Sequence, residues 1–134
     1  MQHQIITNKA DIDVERLSKM YKETDLGERI VNQLLKAIEN STKVIVLEYE
    51  NQYVGAGRSI SDGIYTLFVD IAVVVEYKGR GLGKTILDEL LKGEEKNFVY
   101  LNSTWEAEPF YQKFGFKRQK TGYARYPFKS EYLE

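Results

Sequence analysis

The sequence predicts a mixed α/β (α+β) domain, with one mostly antiparallel sheet of about six to seven strands and helices on both faces. Three observations predict it. Apolar residues before Asn40 recur at helical spacing, whereas those between Val44 and Val75 form β-rich runs punctuated by turn residues. A glycine-rich loop then leads from the last of these runs into a further helical pattern. The length, 134 residues, suits a single domain over residues 1–134, at about 150 residues per domain. A chain of this size hides about two-thirds of its unfolded surface, enough for a real core.

Gln4 to Thr7 is a short apolar start read as a first strand. Asp11 or Asp13 caps a helix whose apolar positions are Val14, Leu17 and Tyr21. A second helix is expected from Asp25, with Glu28 at capping-box distance and Val31, Leu34, Leu35 and Ile38 on one face. Val44 to Tyr49 and Gln52 to Ile60 read as a hairpin around Glu50-Asn51. Gly55 and Gly57 predict a bulge or a close approach in the return strand. Ser61-Asp62-Gly63 is a second turn, and Ile64 to Val75 is expected to be a central strand covered on both faces. Leu82, Ile86, Leu87, Leu90 and Leu91 mark the inner face of a helix that Gly93 ends. Phe98 to Leu101 is a short strand, Glu106 to Phe114 a helix stopped by Gly115, and Phe116 to Arg118 with Gly122 to Phe128 a closing β-hairpin. Eleven of the seventeen aromatic residues lie in 98–134, which marks that quarter as packed structure or a binding wall.

Composition removes several classes of function. Nineteen Lys and Arg balance twenty Asp and Glu, against a general nucleic-acid binder. Without Cys there is no disulfide, thiolate metal site or Cys nucleophile. The only His is His3, so neither a His-based metal site nor a Ser-His-Asp triad is expected, and acid–base work falls to Asp, Glu, Lys, Tyr or water. No run reaches the about 20 apolar residues of a membrane span, and Met1 to Gln4 does not open a signal peptide, so a cytoplasmic protein is expected.

Lys78-Gly79-Arg80-Gly81-Leu82-Gly83-Lys84 between a strand and a helix is a phosphate-binding arrangement, because glycines let backbone N–H groups approach an anion at a positive helix end. Gly83-Lys84-Thr85 matches the end of a P-loop, but that pattern needs glycine where Lys78 stands. The dinucleotide fingerprint G-x-G-x-x-G fails on spacing, since the glycines run Gly79, Gly81, Gly83. A third pattern, Gln/Arg-x-x-Gly-x-Gly/Ala, is filled by Lys78 to Gly83 with Lys in the first place. On that stretch from Asp70 to Lys84 the chain resembles the GNAT superfamily of N-acetyltransferases. Ala107 to Phe116 is similar to a second segment of the family, A-x-x-x-Y-x-K-x-G-F, and the order of elements extends the likeness over nearly the whole chain. Two departures are Val75, where the family usually has Pro, and Thr104, where it often has Asn.

The resemblance implies direct transfer of an acetyl group from acetyl-CoA to a primary amine of a small molecule, without a metal or a covalent acyl-enzyme. It implies coenzyme A contacts at Val73, Val74, Val75, Lys78, Gly79, Arg80, Gly81, Leu82, Gly83, Lys84, Thr104, Phe110 and Tyr111. The Val73 N–H would polarise the thioester carbonyl, and the Tyr111 phenol would protonate the leaving thiolate. Three candidates remain for the base that takes the amine proton: Asp70, Glu48 or water. Arg58, Asp70 and Trp105 are candidate acceptor contacts, with Asp62 read as turn chemistry and Trp105, Phe110 and the Tyr123–Tyr126 hairpin as candidate walls of the acceptor pocket. A homodimer is common in the superfamily. Two other readings stand beside this one: a coenzyme A-binding regulatory or structural domain without turnover, and an acetyltransferase for protein N-termini or lysines.

Overall fold

The computed structural model describes residues 2–134; Met1, the first residue of the expected domain, lies outside them. The chain divides into two compact units, one running to Asn102 and one comprising Ser103–Glu134.

The first unit is built on a five-stranded sheet in the order β1-β2-β3-β4-β5. Its strands are β1 (Gln4–Ile6), β2 (Lys43–Tyr49), β3 (Gln52–Ser61), β4 (Tyr65–Val73) and β5 (Phe98–Leu101). The first four pair antiparallel; β5 runs parallel to β4, which it reaches through the helix α3 (Leu82–Leu91). Glu50 and Asn51 both take positive φ, 48° and 64°, as the expected two-residue hairpin requires. Asp13 caps α1 (Val14–Lys22) by accepting from the Arg16 N–H.

Strand alternation gives the sheet two faces. On one, Val44, Val46, Tyr53 and Ala56 pack with Leu17, Met20 and Tyr21 of α1 and Leu34 and Ile38 of α2 (Val31–Glu39). The other receives α3, whose Leu82, Ile86, Leu87 and Leu90 are buried. The glycines of β3 make that approach possible: a Cβ on Gly57 would stand 2.8 Å from Ile86 Cγ2, and one on Gly55 3.1 Å from Ile86 Cδ1. Among the described residues no helix is long and apolar enough to cross a membrane.

Three expectations are corrected. The second helix begins at Val31 rather than Asp25, and no side chain caps it. The capping box is lost because residues 25–30 are held by other bonds. Gly27 turns left-handed at φ 81°, Asp25 pairs with Lys78, and the Ser18 hydroxyl donates to the Arg29 carbonyl. Second, β4 is not covered on both faces. Thr66 and Phe68 are buried, but Tyr65 and Leu67 are exposed where α2 does not reach, and Tyr65 stacks on Phe98 at 5.1 Å. Third, the sheet has five strands rather than six to seven, because Phe116 to Phe128 forms no strand. An isolated two-stranded hairpin is marginal without a third strand or a helix face.

The second unit contains a 3-10 turn at Trp105–Ala107 and the short helix α4 (Glu108–Lys113), with Pro109 in its first turn where a missing N–H costs nothing. Gly115, at φ 87°, ends it. Arg118 folds back to place Nη2 2.8 Å from both carboxylate oxygens of Glu108.

Candidate active site

Two places in the first unit have the chemistry of a site. The first is the end of β4 and the loop behind it. β5 pairs only with residues from Tyr65 to Phe68, so β4 continues without a neighbour on that side. The departure coincides with a bulge: Asp70 and Ile71 together oppose Gly57, and Asp70 takes φ 56°, rare for a residue with a side chain. Beyond it the Val74 N–H donates to the Val54 carbonyl at 2.9 Å. In an antiparallel ladder the next residue back, Val73, is then a non-bonded pair with Gly55, and its N–H points away from β3, to the side β5 has left. The N–H groups of Val74 and Val75 are engaged by Val54 and Glu23 carbonyls, leaving Val73 as the available donor of the three.

After a 3-10 turn at Val75–Tyr77, the loop enters α3. Gly79 and Gly81 have φ 79° and 82°, so both positions need the left-handed conformation that glycine takes freely. Gly81 is the residue before the helix, and no side chain caps the first-turn N–H groups of Leu82, Gly83 and Lys84. Ten residues of helix put a positive dipole end there. Lys78 is ion-paired with Asp25, and Lys84 Nζ lies 2.7 Å from Asp88. Both pairs are exposed and so are cheap to break. Arg80 lies over the Tyr77 ring, 5.0 Å from its centroid.

The second place is a cleft of about 290 Å³ between the start of α2 and the sheet, lined by Arg29, Ile30, Gln33, Leu34, Ala37, Arg58 and Asp70. The Asp70 carboxylate takes Arg29 Nη2 on Oδ1 at 2.9 Å and Arg58 Nε on Oδ2 at 3.2 Å. Its backbone carbonyl accepts from the buried Tyr21 hydroxyl at 2.7 Å. These bonds hold the bulge in its unusual conformation. Burial first, and the Asp70 charge second, push the Tyr21 phenol well above its ordinary pKa, with Arg29 and Arg58 acting in the opposite sense. Asp70 and Arg58, two sequence candidates, are therefore brought into contact. Glu48 is elsewhere, paired with Arg16 at 2.9 Å. Asp62 does turn work: Oδ1 accepts from the N–H groups of Ile64 and Tyr65 at 2.8 Å each, bonds that lower its pKa. Arg29, Gln33 and Tyr21 escaped the sequence reading as site residues. Arg29 and Asp70 are 41 positions apart, and no local pattern joins them.

The remaining candidates belong to the second unit. Tyr111 is buried, edge-on to Phe110 at 5.1 Å and to Phe116 at 6.0 Å between ring centroids. Burial raises the pKa of its phenol, which stays protonated at neutral pH. No hydrogen bond within the described residues engages its hydroxyl. Trp105 lies against the Tyr132 ring at 4.2 Å between centroids. Thr104 precedes the 3-10 turn and makes no side-chain cap.

Comparison with known proteins bears on the whole arrangement. The model of the acetyltransferase (GNAT) domain matches residues 7–126. The uncharacterized N-acetyltransferase ycf52 of Porphyra purpurea is 26% identical over 126 residues, covering 87% of this chain and 72% of its own. Among solved structures, a protein of unknown function from methicillin-resistant Staphylococcus aureus superposes with TM-score 0.83 at 22% identity, covering 96% of this chain and 100% of that one. A GNAT-family acetyltransferase of Streptococcus pneumoniae does so with TM-score 0.79 at 20% identity, over 97% and 99% of the two chains. With the family model matched from the end of β1 to beyond α4, this chain belongs to the GNAT acetyltransferases and is an N-acetyltransferase.

Proposed function

We propose that the protein transfers the acetyl group of acetyl-CoA to the primary amine of a small molecule by direct attack. The observation that carries this reading is the Val73 N–H, which faces the gap beyond the end of β5 while the uncapped start of α3 follows on the same chain segment. The residues present fit coenzyme A. A diphosphate suits the N–H groups of residues 79–84 with Lys78, Arg80 and Lys84 beside them, and the amide-bearing pantetheine arm suits the unpaired edge of β4 from Val73 to Val75. Leu82, Gly83, Thr104 and Phe110 belong to the same proposed contact set. When bound, the cosubstrate supplies an activated acyl carbon.

Val73 would donate to the carbonyl oxygen as negative charge develops there. The amine nitrogen forms the new C–N bond, the C–S bond breaks, and the sulfur takes a proton from a phenol, the role assigned to Tyr111. A phenol that burial of the ring keeps protonated, with no hydrogen-bond partner for its hydroxyl among the described residues, supports that assignment. For the base, the ion pairs of Asp70 with two guanidiniums and of Glu48 with Arg16 favour water among the three candidates. Arg58, Asp70 and Trp105 remain the proposed acceptor contacts. One domain over residues 1–134, a cytoplasmic location and a homodimer complete the reading; solution mass reads the last directly.

Release of free thiol from acetyl-CoA with a panel of small amines tests the activity. Turnover of at least one amine is expected. Tight acetyl-CoA binding with no thiol release on any amine would favour a coenzyme A-binding domain, and acetylation confined to peptides would favour a protein acetyltransferase. Replacing Tyr111 by Phe is expected to lower kcat at least tenfold, about 1.4 kcal/mol of transition-state stabilisation, with acetyl-CoA affinity retained. A kcat equal to that of the parent would remove the acid role from Tyr111.

A further inference from the structure

The cleft beside α2 has more positive charge than its internal partner neutralises. Two guanidiniums, Arg29 and Arg58, line it with one carboxylate, Asp70, so its charged lining sums to one excess positive charge. Both guanidiniums are largely withdrawn from water, with side-chain exposures of 31% and 17%. Cations so placed are costly unless an anion completes their hydrogen bonds.

Their donors are unevenly used. Arg29 Nη1 gives its hydrogens to the Leu26 and Gly27 carbonyls at 3.0 and 3.1 Å, which fixes the guanidinium at the rim. Arg58 Nε holds Asp70, but its Nη1 reaches only a long 3.4 Å contact with the Ser41 hydroxyl, and its Nη2 has no partner among the described residues. The Gln33 amide, on the first turn of α2, is also without one. A planar guanidinium with a spare edge, next to an amide donor and above the apolar surface of Ile30 and Ala37, matches a carboxylate or phosphate carried on a short carbon chain. The uncapped first turn of α2 adds its N–H groups to the same rim but is secondary to the guanidinium pair.

We infer that this cleft selects an acceptor amine bearing an anionic group, carboxylate or phosphate, which Arg58 and Gln33 bind while Asp70 holds the guanidiniums in place. The inference rests on the acetyltransferase reading for its link to catalysis. Val73 stands three steps along β4 from Asp70, about 10 Å of extended strand, so the amine and the anion would belong to one small molecule.

Matched pairs test it. Ethanolamine against O-phosphoethanolamine reads phosphate; propylamine against β-alanine reads carboxylate. With acetyl-CoA saturating, kcat/KM is expected to be at least tenfold higher for the anionic member of one pair, and the pair that responds identifies the anion. Calorimetric binding of the same four compounds without acetyl-CoA should rank them in the same order. Gln33 is solvent-facing on α2, so Gln33→Glu folds normally and sets a carboxylate against the incoming anion. It should lower the anionic-to-neutral ratio at least fivefold in both measurements. Equal binding within both pairs would overturn the inference, as would a ratio untouched by Gln33→Glu. Anion-selective binding that Gln33→Glu abolishes, together with no thiol release, would uphold the cleft and instead sink the acetyl-transfer chemistry.

Discussion

The two faces of the sheet are built by opposite means. Under α3 the contact is apolar and close: Ile86, Leu87 and Leu90 are fully buried, and Gly55 and Gly57 remove side chains so that Ile86 can lie on the backbone of β3. Under α1 and α2 the strands present an apolar cluster at one end and the Arg29–Asp70–Arg58 ion pairs at the other. One bulge separates the two designs. At Gly57 the third strand has nothing but hydrogen, while on the opposite strand the extra residue, Asp70, turns its carboxylate to the α2 face. A dry face is held by close packing alone; the charged face is held by directed ion pairs and keeps donors of Arg58 spare. The difference shows how a sheet can be anchored on one side and left open to ligands on the other.

The comparison can be broken most severely under α3. Ile86→Ala opens a cavity against the glycines, with an expected loss of about 2–5 kcal/mol in denaturant unfolding. Gly57→Ala places a methyl 2.8 Å from Ile86 Cγ2, inside van der Waals contact, and is expected to cost about 1–3 kcal/mol. Combined, the two should cost clearly less than their sum, because the alanine methyl partly fills the space that the isoleucine vacates. Additive losses would show that the glycine is not there for the helix.

On the α2 face, Asp70→Asn keeps the left-handed backbone, which Asn tolerates, and removes the charge that both guanidiniums share. About 1–2 kcal/mol is expected, below the value for a fully buried pair because the groups are partly wet. The loss should be larger at low salt. Tyr21→Phe, which removes the donor to the Asp70 carbonyl, is worth about 1 kcal/mol at neutral pH. It also carries a pH signature. Folding raises the Tyr21 pKa above that of the unfolded chain, so this contribution is complete below about pH 10 and falls as pH climbs further toward the folded value. Parent protein should therefore lose stability on the alkaline side faster than Tyr21→Phe does; parallel curves would contradict the buried-phenol assignment.

Much of this was legible in the residues themselves. The Glu50-Asn51 turn, the Asp13 cap, the inner face of α3 and the need for glycine at 79 and 81 are local: each follows from the steric or hydrogen-bonding preference of residues a few positions apart. Motif spacing carried the family for the same reason, since a loop that approaches a diphosphate must place its glycines at fixed intervals. Tertiary structure decided what depends on distant partners. Asp25 and Glu28 offered a valid capping box, but Asp25 went to Lys78 and Arg29 to Asp70, so α2 starts at Val31. Asp70 could be placed on a strand from sequence, but not in a bulge at φ 56° between two arginines, because no local signal encodes an ion pair spanning 41 positions. The free Val73 N–H is likewise a property of where β5 stops beside β4, a register that only the packed sheet defines. Sequence by itself determined the turns, the helix faces and the phosphate-binding loop, all set by short-range sterics and periodicity. The charge balance of the α2 cleft was left to the folded chain, because Coulomb forces act between neighbours in space.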